Sequence, residues 1–357
     1  MEWFYWLIIA VGSLLILILG RFFFNGPSAS CNRDMKGKLV IVTGSSSGIG
    51  KETAFDLLKK GAEVIFACRD EKKTLEVIAE IEGIEIKSKA KFMKLDLCDF
   101  DSIVQFAENV SNTYLSRKID ILINNAGVIC KEFRKTKNNI EQTLQANLVG
   151  SVILSALLIN KIENEGRIIN VSSMIHHNAN PDFEFLENDM NFDKLQQDYN
   201  SMLVYANSKI GQIFFTKSLV NFCRIKNLNV KNLSLHPGVV NTSLFDNIAT
   251  NKCICIIYYL IYPLLWYVTK TNWMGAQTTL QLCYKDYSSL IDGCYYKNCE
   301  LSESSEISRD EKKINRFMKY CCDLIEINSR ENNKLNQIPF LKYLKNPEQT
   351  ISLLQAE

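Results

Sequence analysis

The chain has 357 residues, of which 47% are hydrophobic and 22% charged, with a formal net charge of +2. That is enough apolar content for one large core and too little positive charge to neutralise a phosphate backbone, so one sizeable α/β domain is expected and a nucleic-acid partner is not. The 12 cysteines are scattered, and Cys253-Ile254-Cys255 and Cys321-Cys322 lack the spacing and the histidines of a zinc site, so reduced thiols and no metal are expected.

From Trp3 to Gly20 the chain runs for 18 residues without a charge and is rich in Ile and Leu, long enough to span a bilayer with little tilt. A cleaved signal peptide would have a shorter apolar run, a positive start in place of Met1-Glu2 and a small-residue cleavage site. The expectation is an uncleaved anchor over residues 1–24 and a polar linker over 25–35. Arg21, Arg33, Lys36 and Lys38 follow the span, which by the positive-inside rule leaves the remainder in the cytosol. Sequons at Asn170, Asn232 and Asn241 fall in apparent core or site motifs, where a glycan has no room.

Beyond the linker, apolar strand candidates near residues 39, 64, 91, 119, 167 and 230 alternate with helical patterns, which specifies a doubly wound parallel sheet with helices on both faces. The first strand, Leu39-Val40-Ile41-Val42, runs into Thr43-Gly44-Ser45-Ser46-Ser47-Gly48-Ile49-Gly50 and then a helical pattern. Strand, glycine turn and helix start together make a dinucleotide pyrophosphate site, because unpaired N–H groups at a helix start attract anions. Its rival is a plain Gly/Ser loop between core elements. The second strand ends in Arg69, about 20 residues past the glycines, where an acid would favour NAD and a permanently charged fork favours the phosphate of NADP(H). Arg69 could equally join a solvated charge cluster with Asp70, Glu71 and Lys72. Asp96 closes the third strand, placed either to bond an adenine or to cap the next helix.

Tyr205 and Lys209 are four residues apart, hence on one face of a helix. Tyr114 and Lys118 share that spacing, so context decides. Tyr205 follows the strand Arg167-Ile168-Ile169-Asn170-Val171 and Ser172-Ser173, on the ligand-binding edge of such a sheet, whereas Tyr114 precedes a strand. His176 and His177 lie close to Ser173, but no nucleophile-elbow glycines surround the serines, so a hydrolase is not expected and the histidines are read as lining a substrate entrance.

The ordered set of glycine turn, Asn124-Asn125-Ala126-Gly127, Asn147, Ser172-Ser173, Tyr205/Lys209 and Pro237-Gly238 resembles the short-chain dehydrogenase/reductase superfamily over residues 36–327. Ala67-Cys68-Arg69-Asp70, His236-Pro237-Gly238 and Tyr199 resemble its membrane-anchored retinol dehydrogenase branch. The resemblance implies a single Rossmann-type domain and a catalytic set of Asn147, Ser173, Tyr205 and Lys209. It implies cofactor contacts from Gly44, Ser46, Ser47, Gly48, Ile49, Gly50, Arg69, Asp96, Leu97, Asn124, Ala126, Gly127, Tyr205, Lys209, Pro237, Gly238, Val240 and Thr242. Tyr205 would pass a proton to the substrate oxygen, Lys209 would bond the nicotinamide ribose, Ser173 would donate to the carbonyl oxygen, and Asn147 would hold a water that relays protons to Lys209. An unperturbed phenol, near pKa 10, is a sluggish acid-base at neutral pH. An ammonium about 4 Å away contributes on the order of 4 kcal/mol at an effective dielectric of 20, enough to pull it down by as much as ~3 pH units.

Residues 178–200 are more than a minimal family member needs and are expected to form an extra loop near the site. Residues 253–268 carry no charge and are shorter than a usual span, with Pro263 inside, so they read as an interfacial lid admitting a lipid-soluble substrate. Residues 328–357 read as a loosely attached tail. The expected activity is membrane-anchored, NADP(H)-dependent interconversion of a hydrophobic carbonyl and its alcohol, with membrane lipid as a partner and the endoplasmic reticulum as the membrane. Helices around 138–161 and 199–226 are candidate faces for a homodimer. A non-catalytic NADP(H)-binding membrane scaffold and an enone reductase are the competing readings.

Overall fold

A computed structural model of the protein describes residues 25–30, 33–180, 199–240, 269–329 and 337–346, with individual residues elsewhere. Residues 181–198 of the expected loop at 178–200, residues 253–266 and 268 of the apolar run 253–268, Thr242 and Asn241 lie outside the described residues, as does half of the apolar stretch from Trp3 to Gly20.

Eight strands form one sheet in the order β3-β2-β1-β4-β5-β6-β7-β8. They are β1 Leu39–Thr43, β2 Glu63–Cys68, β3 Ala90–Lys94, β4 Ile119–Asn124, β5 Ile162–Val171, β6 Lys231–His236, β7 Tyr295–Lys297 and β8 Glu300–Ser302. All pairings are parallel except β7 with β8, a short antiparallel edge. The first six match the strand candidates. β7 and β8 were not anticipated, because three-residue strands carry no readable alternation.

Alternation along β1 shows why two layers form. Leu39 and Ile41 belong to one apolar cluster, and Val40 and Val42 to another on the opposite face. All four are fully buried, each worth about 1.5–3 kcal/mol of transfer free energy. Helices α1 (Gly48–Lys59), α2 (Glu71–Ala79) and α6 (Asn272–Tyr284) contribute to the Val40 layer. Helices α3 (Phe100–Thr113), α4 (Gly150–Leu158), α5 (Ser201–Ile225) and α7 (Glu311–Asn328) cover the other. The described segment Gln142–Lys161 is long and apolar enough to cross a membrane, but 89% of its apolar window is buried inside the domain, which makes it a core helix.

The tail reading needs correction. Within residues 328–357 the helix α8, Pro339–Lys345, buries Phe340, Leu341, Tyr343 and Leu344 in the main core. Phe340 lies 5.0 Å from Phe222 and 5.9 Å from Phe215, ring centre to ring centre. Seven residues are too few for a convincing helical period, so the Pro339-Phe340-Leu341 cluster looked isolated until tertiary contacts filled in its partners.

The linker is also tied down. The backbone N–H groups of Ala29 and Ser30 donate to Gln277 and Gln281 of α6 at 3.0 and 2.8 Å. Arg21 Nη1 donates to the carbonyls of Tyr267 and Thr269 at 3.0 and 2.6 Å. Asn170 and Asn232 are fully buried, and the described cysteines are free thiols.

Candidate active site

A cleft of about 650 Å³ opens along the C-terminal ends of β1 to β6. The sheet order reverses between β1 and β4, the switch point where open α/β sheets hold ligands. At one end the turn after β1 approaches the exit of β4. Gly44 has φ +67°, and a Cβ there would lie 2.9 Å from Ala126 Cα. A Cβ on Gly50 would lie 2.5 Å from both Gly44 O and Asn125 Nδ2, so both positions exclude a side chain. Asn125 locks the turn, donating from Nδ2 to Thr43 O at 2.9 Å.

Helix α1 begins without a side-chain cap, although α2, α3, α5, α6 and α7 each have one. The N–H groups at the start of α1 therefore face the cleft unclaimed by a capping side chain, an arrangement suited to a pyrophosphate. Arg69 lines the same end. Asp70, which the charge-cluster reading paired with it, instead caps α2 by accepting from Lys73 N at 3.0 Å. Asp96 lines the cleft and accepts from Cys98 N at 2.9 Å, while α3 is capped by Asp99.

At the other end α5 presents Tyr205 and Lys209, both buried. Ser173 lines the cleft beside Tyr205 and acts to lower the phenol's pKa. Ser172 is engaged elsewhere, donating to the Lys209 carbonyl at 2.6 Å. Lys209 Nζ stands 5.6 Å from the centre of the Tyr205 ring and donates to Val171 O at 2.9 Å. The sequence-based expectation of a lowered phenol pKa fails here. Burial pushes Tyr205 up to about 12, only partly offset by Ser173, and burial brings Lys209 down to about 8. Removal from water dominates both shifts.

Asn147 lies in the π-helical turn Gln145–Val149, a local distortion common at functional sites. It does not line the cleft. Its side chain accepts from Val128 N at 2.7 Å and donates to Val128 O and Ser208 Oγ, both at 3.0 Å, and its carbonyl accepts from Gln212 Nε2. A Cβ on Gly127 would sit 3.3 Å from Lys209 Nζ and 3.6 Å from Asn147 Oδ1, so Asn147 positions the backbone beside the lysine. The Tyr199 hydroxyl lies 2.9 Å from both Glu141 Oε1 and the Cys130 carbonyl.

Ser46, Ser47, Gly48, Ile49, Leu97, Ala126, Gly127, Pro237, Gly238 and Val240 all line the cleft. Asn124 does not. Its side chain is buried in the helix layer, donating to Ser155 Oγ at 3.0 Å and Asn170 Oδ1 at 2.8 Å, because strand alternation turns it away from the face that Asn125 presents. His176 is also not an entrance residue. It is fully buried, and Met174 and Ile175 face the opening in its place. Tyr114 is remote from the cleft, bonded to Glu63. Sequence reading missed Cys68, Cys98, Val128 and His236 as cleft residues. Their positions, at a strand's last residue for Cys68 and His236 and four residues past one for Cys98 and Val128, were the available signal.

The family model described as short chain dehydrogenase matches residues 38–184. Retinol dehydrogenase 12 of Bos taurus is 33% identical over 309 residues, covering 86% of this chain and 92% of that protein. A protein of known structure from Mycobacterium Paratuberculosis, described as uncharacterized, superposes with a TM-score of 0.64 at 24% identity, over 84% of this chain and 98% of that one. A short chain dehydrogenase from Burkholderia cenocepacia, solved in complex with NADP, gives 0.55 at 20% identity, over 74% and 97%. With the cleft, the glycine turn and these relatives in agreement, the chain belongs to the short-chain dehydrogenase family and is a retinol dehydrogenase-like oxidoreductase working with a nicotinamide cofactor.

Proposed function

We propose that the protein is a membrane-anchored, NADPH-dependent reductase of a hydrophobic carbonyl compound such as a retinal-like or fatty aldehyde or a sterol ketone, reversible as an alcohol dehydrogenase. The observation that carries this reading is that one cleft gathers Ser173, Tyr205 and Lys209, with Lys209 one helical turn from Tyr205. With its pKa raised to about 12, Tyr205 is protonated at neutral pH, the state needed to deliver a proton to a carbonyl oxygen. Ser173 donates a second hydrogen bond where negative charge develops. Lys209, near 8, remains mostly cationic at pH 7 and lies where it would bond a nicotinamide ribose. The cofactor, when bound, supplies the hydride.

Arg69 supports the phosphate-bearing form of the cofactor, since its fork lines the adenosine end and makes no ion pair among the described residues. The preference for an apolar substrate is supported by Met174, Met202 and Val239, which line the cleft yet are 44%, 41% and 48% exposed. The N-terminal apolar run is the proposed anchor. Arg21, at its end, donates to the backbone carbonyls of Tyr267 and Thr269. Purified protein should oxidise NADPH in the presence of retinal or decanal and release the matching alcohol. Release of a saturated carbonyl from an enone instead would replace this reading with C=C reduction.

A further inference from the structure

The chain has 3 histidines, and all of them gather behind Ser173. His176 and His177 lie in the 3-10 turn after β5, and His236 ends β6. Two of them grip one peptide unit. His236 Nδ1 accepts from Met174 N at 3.2 Å, and His176 Nδ1 lies 2.6 Å from Ser173 O. The carbonyl of Ser173 and the N–H of Met174 belong to the same planar group, so it is held at both poles.

The partners fix the tautomers. His176 Nε2 accepts from Ser305 N at 3.1 Å, so its proton is on Nδ1, donating to Ser173 O. His236 must leave Nδ1 unprotonated to accept from Met174. Both rings are buried, at 0% and 3% exposure. His176 meets Tyr295 of β7 edge-on at 5.1 Å and lies over His177 at 4.1 Å. His236 is faced by Lys297 of β7, Lys270, His176 and His177, all of which disfavour a charge on it.

The clamp matters because Ser173 has a competing task. Its Oγ accepts from Ile175 N at 3.4 Å, as the N-cap of the turn. A rotation of the Ser173–Met174 peptide would let the hydroxyl settle into that capping role and withdraw from Tyr205. We infer that His176 and His236 are positioning residues, a two-histidine clamp on the Ser173–Met174 peptide that keeps the Ser173 hydroxyl aimed at the reacting oxygen. The inference rests on the proposed role of Ser173 and Tyr205.

An asparagine side chain can offer a polar atom near the place of Nδ1, a glutamine near that of Nε2, and a leucine neither. At saturating NADPH, His236→Leu should lower kcat with decanal by about 10–100-fold, the scale of a misplaced catalytic group, while NADPH affinity by fluorescence titration stays within about threefold; His236→Asn should restore most of the rate. In parallel, His176→Asn, which can still reach Ser173 O, should outperform His176→Gln, which cannot. That second pair carries the test if His236→Leu fails to fold. Full kcat in His236→Leu, or equal loss in the Asn and Leu variants together with weakened NADPH binding, would overturn the clamp. Absence of decanal or retinal turnover in the unmodified protein would instead strike the underlying functional reading.

Discussion

The two ends of the cleft are built on different principles. The end proposed for adenosine is made mostly of backbone, with the turn after β1, the uncapped start of α1 and the Arg69 side chain after β2 all lying between Leu39 and Asp70. The reactive end is made of side chains brought from far apart. Ser173 comes from the β5 exit and Tyr205 and Lys209 from α5, while the contacts that hold them reach Val128, His236 and Ser305. Recognition of a nucleotide by N–H groups needs only a local conformation, whereas proton transfer needs atoms held to within fractions of an ångström. The first can be specified by a short motif, and the second needs the finished fold.

If that contrast is right, damage to distant packing should injure the reactive end first. Phe340→Ala removes a ring packed against Phe215 and Phe222 of α5, and should cost about 3–5 kcal/mol in chemical denaturation. A near-neutral result would mean that α8 is dispensable, as the sequence alone suggested. Damage at the adenosine end should stay local. Arg69→Ala should weaken NADPH binding by about 10–100-fold, the worth of a lost charged hydrogen bond, and leave NADH binding and the melting temperature almost unchanged. Equal weakening of both cofactors would place Arg69 outside phosphate recognition.

The last expected effect, small near neutral pH and growing on acidification, is a pH dependence of stability. Burial holds His176 at about 4 and His236 at about 3, below the ordinary 6.5. A histidine with a depressed folded-state pKa favours folding above 6.5, and that contribution drains away as pH falls toward the folded value. Unfolding free energy should therefore drop on acidification from about pH 6.5, by up to about 1.4 kcal/mol per pH unit for each such histidine. His176→Asn should flatten the slope, and an unchanged slope would mean that His176 titrates normally.

The same contrast explains what could be read without coordinates. The six long strands, the glycine turn, the placement of Tyr205 in the cleft and of Tyr114 outside it, and the family were legible because each depends on periodicity or on placement relative to a strand end. Asn124 was misassigned by a single step of strand alternation, which sends it into the helix layer and gives Asn125 the cleft. The burial of His176 and the docking of α8 depend on partners more than 100 residues away, which no local pattern encodes. The phenol pKa was misjudged because a pairwise attraction is visible from an i, i+4 spacing, while the loss of solvent around both groups is a property of the closed domain.

The central claim is that the hydroxyl of Tyr205, beside Ser173 in the cleft, delivers the proton in carbonyl reduction. Tyr205→Phe removes one oxygen and leaves the ring in place, so NADPH should bind as before while oxidation of NADPH with retinal or decanal falls to background. Turnover at the unmodified rate in that variant would contradict the account.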